Sequence, residues 1–183
     1  LVARLNGALA AGVAGAFPAA TLSLLCPIAE RLAAGPALAV EDWLRDTLAA
    51  NRARDAAAGT GGVGAHRADM ALADAATGLG AAQASTGQQK ALLIGVILGH
   101  AALLAEARGF APLLLLDEPA VHLDPGRRAA LFAALARLPA QVFLTGTDSD
   151  TFLPLRGVAE GLRTGHGTLL PDPDFPQPQD HQM

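Results

Sequence analysis

The residues best suited to chemistry in this chain are Asp117 and Glu118, which follow four consecutive leucines at 113–116. An unbroken apolar run of that kind reads as a strand buried on both faces, as in a parallel sheet. Carboxylates at the carboxyl end of such a strand sit where α/β sheets bind ligands. The first is placed to hold Mg²⁺ directly or through water, because hard cations take oxygen ligands. The second is placed to orient or deprotonate an attacking water. Two acids that simply end a strand in solvent satisfy the same pattern.

Two further segments carry candidate chemistry. Upstream, Ser85-Thr86-Gly87-Gln88-Gln89-Lys90 opens a long apolar stretch. A hydroxyl, a glycine that permits close backbone approach and the free N–H groups of a helix start together make an anion site. An ordinary cap at Ser85 or Thr86 has the same signature. Seven residues past Asp117 stands Asp124, followed by Pro125. Read singly, Asp124 caps the helix that Pro125 opens.

These residues need elements to position them. From Ser85 the pattern predicts a cap, one long helix apolar on most of its faces, and a stop at Gly109. A strand at 113–116, a helix from Pro125 to before Pro139 and a second buried strand at 141–145 form a βαβ unit, which implies an α/β fold with a parallel sheet. Earlier in the chain, Leu1, Leu5, Leu9 and Val13 share one helix face, 21–26 reads as a strand, and 41–58 reads as a helix with Glu41 and Asp42 in its first turn. A glycine-rich hinge at 59–64 precedes an irregular strand at 70–76. Two short strands around a turn at 164–167 follow the core, and 171–183 reads as a disordered tail.

In order and spacing, the three chemical segments resemble the signature motif, Walker B motif and D-loop of an ATP-binding-cassette ATPase. STGQQKALL, then LLLLDEP with LDPGRR, then QVFLTGTD, resemble more particularly the C-terminal half of the RecF family. That family comprises bacterial recombination mediators related to the heads of Rad50 and the SMC proteins. The stretch GVGAHRAD at 62–69 resembles a G-P-H-R-D-D element of the same family, with Ala65 and Ala68 replacing Pro and Asp. The resemblance is close over 62–150 and looser over 1–61.

The resemblance implies a partial ATPase head at 62–170, joined to a mostly helical lobe at 1–61. It implies ATP and Mg²⁺ as cofactors, with Asp117 on the metal and Glu118 as the catalytic carboxylate. Ser85, Gly87 and Gln88 would meet the γ-phosphate from the other subunit of an ATP-dependent homodimer. Asp124 would lie at the dimer seam, and Thr147 would occupy the switch position. The implied partners are gapped DNA at single-strand/double-strand junctions, RecR, and indirectly RecO and RecA. A cytoplasmic location follows.

One element of that family is missing from these 183 residues: no G-x-x-x-x-G-K-[ST] phosphate loop occurs, and the single lysine is Lys90. The expectation is a chain that lacks the N-terminal half of its head and is inactive alone. A Rad50-like head and a non-catalytic module that binds DNA or a partner remain the alternatives. Long heptad arms that would favour Rad50 do not occur.

Composition narrows the classes. The chain is 51% hydrophobic and 16% charged with a net charge of −4, which excludes extensive disorder and the basic surface of a free-standing DNA binder. One cysteine, Cys26, excludes a disulfide framework and reads as a buried strand residue. His66, His100, His122, His166 and His181 lack metal-ligand spacing. Arg52, Arg54 and Arg67 flank the hinge, either as solvated surface or as phosphate contacts, and Arg127 and Arg128 open a helix where cations oppose the dipole. The apolar stretch at 91–105, interrupted by His100, reads as too short to cross a bilayer.

Overall fold

The computed structural model describes residues 1–12, 15 and 17–175. Its centre is α4, Thr86–Arg108, a helix of 23 residues that begins at a capped Ser85 and ends on Gly109 in the left-handed conformation (φ 75°). This is the capped helix with its Gly109 stop that the sequence predicts, and the apolar segment 91–105 lies within it. By length and apolarity alone α4 is long enough to span a bilayer. In this fold Leu92, Ile94, Val96 and Leu98 are buried in the core instead.

The N-terminal helix α1, Val2–Ala10, lies against α4 and against strand β1, Ala20–Leu25. Leu5 and Leu9 are its buried face, as their spacing predicts; Val13 falls outside the described residues. They approach α4 at Gly99, where an added Cβ would stand 2.9 Å from Leu9 Cδ2. The side chain of Asn6 accepts from the N–H of Leu22 at 2.8 Å and donates to its carbonyl at 2.9 Å, so α1 is bonded to β1 as a third strand would be.

β1 pairs antiparallel with β2, Asp69–Asp74, in a register that sets Leu22 against Leu72. This pairing joins the segment 1–61 to residues beyond it. At the end of β2 the Asp74 carboxylate accepts from the N–H groups of Thr77 and Ala76, chiefly Thr77, which holds it below the usual carboxylate range. Cys26 is buried just past β1, at the start of α2, Pro27–Ala34.

α2 and α3, Ala37–Ala58, form a hairpin in which Val40 is the buried residue of α3. Helix α3 starts four residues before the sequence suggests, directly after Pro36. Glu41 and Asp42 consequently lie past the first turn, where both pair with Arg45 at 2.8 and 2.7 Å. The glycine-rich segment that follows closes on itself. Gly59 caps α3 with φ 66°, Gly62 N–H donates to Asp55 at 2.9 Å, and the His66 ring bonds the Gly61 carbonyl.

The βαβ unit is present: β3, Leu114–Leu116, runs parallel to β4, Val142–Leu144, and α5, Pro125–Arg137, crosses between them. Leu114 and Leu116 join Leu131, Phe132 and Leu135 in the core that α4 completes. The opposite face departs from the expectation of a doubly buried strand. Leu115 is 71% exposed, Leu113 53% and Phe143 48%. Leu115 and Phe143 are register partners, so these side chains form one bare apolar strip. Among the described residues the helices that flank this sheet pack on its other face.

The last hairpin, β5 Leu162–Gly165 and β6 Thr168–Pro171, turns through His166 and Gly167, both at positive φ (48° and 79°). The residues just past it are folded, against the expectation of a tail beginning at 171. Asp172 is buried on Arg163 at 2.8 Å and Phe175 packs beside Gly161. The rest of that tail, 176–183, falls outside the described residues.

Candidate functional site

The parallel register fixes the site's geometry. Leu116 is level with Leu144, so the residues that follow each strand, Asp117 and Thr145, emerge side by side at the carboxyl edge. Thr145 N–H donates to the Leu116 carbonyl at 3.1 Å, extending the ladder one step. Its hydroxyl donates to the Asp117 carboxylate and accepts from the Glu118 N–H at 3.1 Å. One threonine thus orients both acidic residues. Sequence reading overlooked Thr145, although its position after the second buried strand is the mirror of Asp117 after the first.

Asp117 and Glu118 are both exposed. Glu118 has φ 46°, an uncommon conformation for a residue with a side chain, and one that clusters at functional sites. Its carbonyl accepts from Lys90 Nζ. Among the described residues no side chain pairs with the Glu118 carboxylate, so it stands free at the strand end. His122, in the same loop, is also left-handed, with φ 65°.

The signature-like segment lies against this loop. Ser85 Oγ accepts from the Gln88 N–H at 3.4 Å, and the Gln88 side chain accepts from the Ser85 N–H at 2.9 Å, a closed capping box. Gly87 faces the His122 carbonyl so closely that a Cβ there would stand 2.7 Å from the oxygen. Asp124 caps α5 by accepting from the Arg127 N–H at 2.9 Å, and it pairs with the Arg127 guanidinium at 3.3 Å. Ser85 and Asp124 therefore both hold the capping places that a plain reading gives them.

Thr147 lies with Glu118, Thr145, Asp148 and Phe152 around a cleft of about 30 Å³. Asp148 caps the short 3-10 helix that follows, accepting from the Asp150 N–H at 3.0 Å. Among the described residues no three His, Cys, Asp or Glu side chains gather as a metal cage. Asp117 offers one exposed carboxylate at a strand end. That donor set fits Mg²⁺ carried on nucleotide phosphates, where one carboxylate suffices, and does not fit a cation held by protein alone.

Comparison with known proteins bears on the family and the fold. The family model described as "AAA domain, putative AbiEii toxin, Type IV TA system" matches residues 65–145. The DNA replication and repair protein RecF of Mesorhizobium japonicum is 46% identical over 160 residues, covering 87% of this chain and 42% of that protein. RecF of Brucella abortus is 48% identical over 155 residues, covering 85% of this chain and 40% of its own length. The fold is similar to that of the recombination mediator RecF solved with ATPrS (TM-score 0.61, 19% identity, 92% of this chain and 44% of that one). The RecF structure solved with ATP is similarly related (TM-score 0.60, 18% identity, 92% and 43%). The fold class is the α/β type that the sequence implies, shared with these structures. The chain is thus similar in sequence over most of its length, and in fold, to RecF proteins, and it spans about two fifths of the length of the relatives it matches.

Proposed function

We propose that this chain supplies the signature and Walker B half of an ATP-dependent DNA-repair ATPase of the RecF type. The observation that carries this reading is the joint placement of Asp117 and Glu118 at the end of β3, oriented by Thr145 and abutted by the first turn of α4. Nucleotide, when bound, brings Mg²⁺ and a phosphoryl group that water can attack. Asp117 then ligates the metal, and the unpaired Glu118 carboxylate orients the water and takes its proton.

The capping box occupies the Ser85 and Gln88 N–H groups, so the donors this turn can offer to a γ-phosphate held by a second subunit are the Thr86 and Gly87 N–H groups and the Ser85 hydroxyl, with Gln88 fixing the turn. Donors from both subunits on one phosphate make dimerisation depend on ATP, and hydrolysis reverses it. Asp124 lies at the seam, and Thr147 reads the γ-phosphate from the switch position. The dimer clamps gapped DNA near single-strand/double-strand junctions in the cytoplasm, with RecR as partner and RecO and RecA downstream. The bare strip of Leu113, Leu115 and Phe143 is covered in the working head by the part of the fold that this chain does not span.

The test is a chimera in which this chain replaces the matched segment of Mesorhizobium japonicum RecF. Mg²⁺-dependent ATP hydrolysis and ATP-dependent retention on gapped duplex DNA support the proposal. A folded chimera that binds gapped DNA equally with and without ATP, and hydrolyses none, refutes it in favour of a non-catalytic module.

A further inference from the structure

We infer that Lys90 and Gly87 are positioning residues for Glu118 in their own chain, so that the first turn of α4 sets the catalytic carboxylate as well as presenting the signature segment outward. The inference rests on the proposed role of Glu118 and goes beyond it. Two residues with side chains between β3 and α5 adopt left-handed backbone, Glu118 (φ 46°) and His122 (φ 65°). Both of their carbonyls meet the start of α4. Lys90 Nζ donates to the Glu118 carbonyl, and Gly87 leaves just the room that the His122 carbonyl needs.

A residue with a side chain keeps the left-handed conformation only where its surroundings hold it. Here the Glu118 peptide is held from both sides, by Thr145 Oγ1 at its N–H and by Lys90 at its carbonyl. Lys90 also leaves the Glu118 carboxylate unpaired, because its charge is directed to the carbonyl. A shift of the α4 start, as when it engages a phosphate, is therefore transmitted to the Glu118 peptide through Lys90 and to the His122 turn through Gly87.

Lys90 is the single lysine in the chain, so its ammonium gives an unambiguous NMR signal. In the wild-type 183-residue chain that signal is expected to exchange slowly with water and to show proximity to Glu118. Lys90→Met is expected to move the Glu118 backbone carbon shifts out of the positive-φ range, and Lys90→Arg to restore them. Glu118 shifts unchanged in Lys90→Met overturn the inference. If Lys90→Met does not fold, the wild-type ammonium decides: exchange as fast as free lysine, without contact to Glu118, overturns it equally. None of these readouts needs ATP, so an inactive chimera would remove the functional proposal and leave this one standing.

Discussion

At the residue scale, Thr145 does the most with the fewest atoms. Its hydroxyl holds the Asp117 carboxylate and the Glu118 N–H together, so replacing it removes orientation from both acids. In an active chimera, Thr145→Val is expected to lower kcat about 10- to 100-fold, and Thr145→Ser to retain most of it, measured by phosphate release. Equal rates in the two variants would contradict that role. Ser85 makes a different prediction, since its capping box stabilises α4 whatever else it does. Ser85→Ala is expected to cost the isolated chain about 1 kcal/mol in denaturant unfolding. The strand-end acids and the caps at Ser85 and Asp124 were legible in the sequence because each depends on neighbours within a few residues. Thr145 and Lys90 were not, because their partners lie 27 and 28 residues away and meet them only through the β3–β4 register and the docking of α4.

At the element scale, the β3–β4 pair has one packed face and one bare face, and this asymmetry is testable. Leu114→Ala removes a core side chain and is expected to cost about 2–4 kcal/mol, whereas Leu115→Thr in the isolated chain is expected to change stability by less than about 0.5 kcal/mol. Comparable losses at the two positions would show that the Leu115 face is packed after all. The unbroken leucine run correctly marked a strand of a parallel sheet. It did not reveal that one face would be bare, because that depends on which elements pack there and not on the strand. The early start of α3 was hidden for a related reason. Alanine-rich sequence after Pro36 propagates a helix without a polar cap to announce it.

The C-terminal hairpin adds an electrostatic element. Asp172, buried against the Arg163 guanidinium, is held below its ordinary value of 3.8 chiefly by that hydrogen bond. A lowered carboxyl contributes stability above the ordinary value and loses it as the pH falls through the lowered one. Protection of the β5 and β6 amides, referenced to intrinsic exchange at each pH, is therefore expected to fall on acidification below about pH 4, and Asp172→Asn is expected to remove that pH dependence. Sequence reading missed this anchor because the Pro- and Asp-rich segment at 171–175 lacks the periodicity of a packed element.

At the scale of the whole molecule, α4 links the N-terminal elements to the βαβ unit: α1 and β1 pack on it, α5 completes the core beside it, and its first turn meets the β3–α5 loop. The chain therefore carries the two acids at the end of β3, their orienting hydroxyl and the first turn of α4 as one packed unit. It carries no G-x-x-x-x-G-K-[ST] loop, so the purified 183-residue chain is expected to show no Mg²⁺-dependent ATP turnover. The central claim is that Glu118 acts on the attacking water and not in binding nucleotide. The most direct measurement compares the chimera with its Glu118→Gln variant, following phosphate release and sedimentation in the same samples. Glu118→Gln is expected to abolish hydrolysis and to accumulate the ATP-bound dimer. Hydrolysis by Glu118→Gln at the rate of the unaltered chimera would contradict that claim.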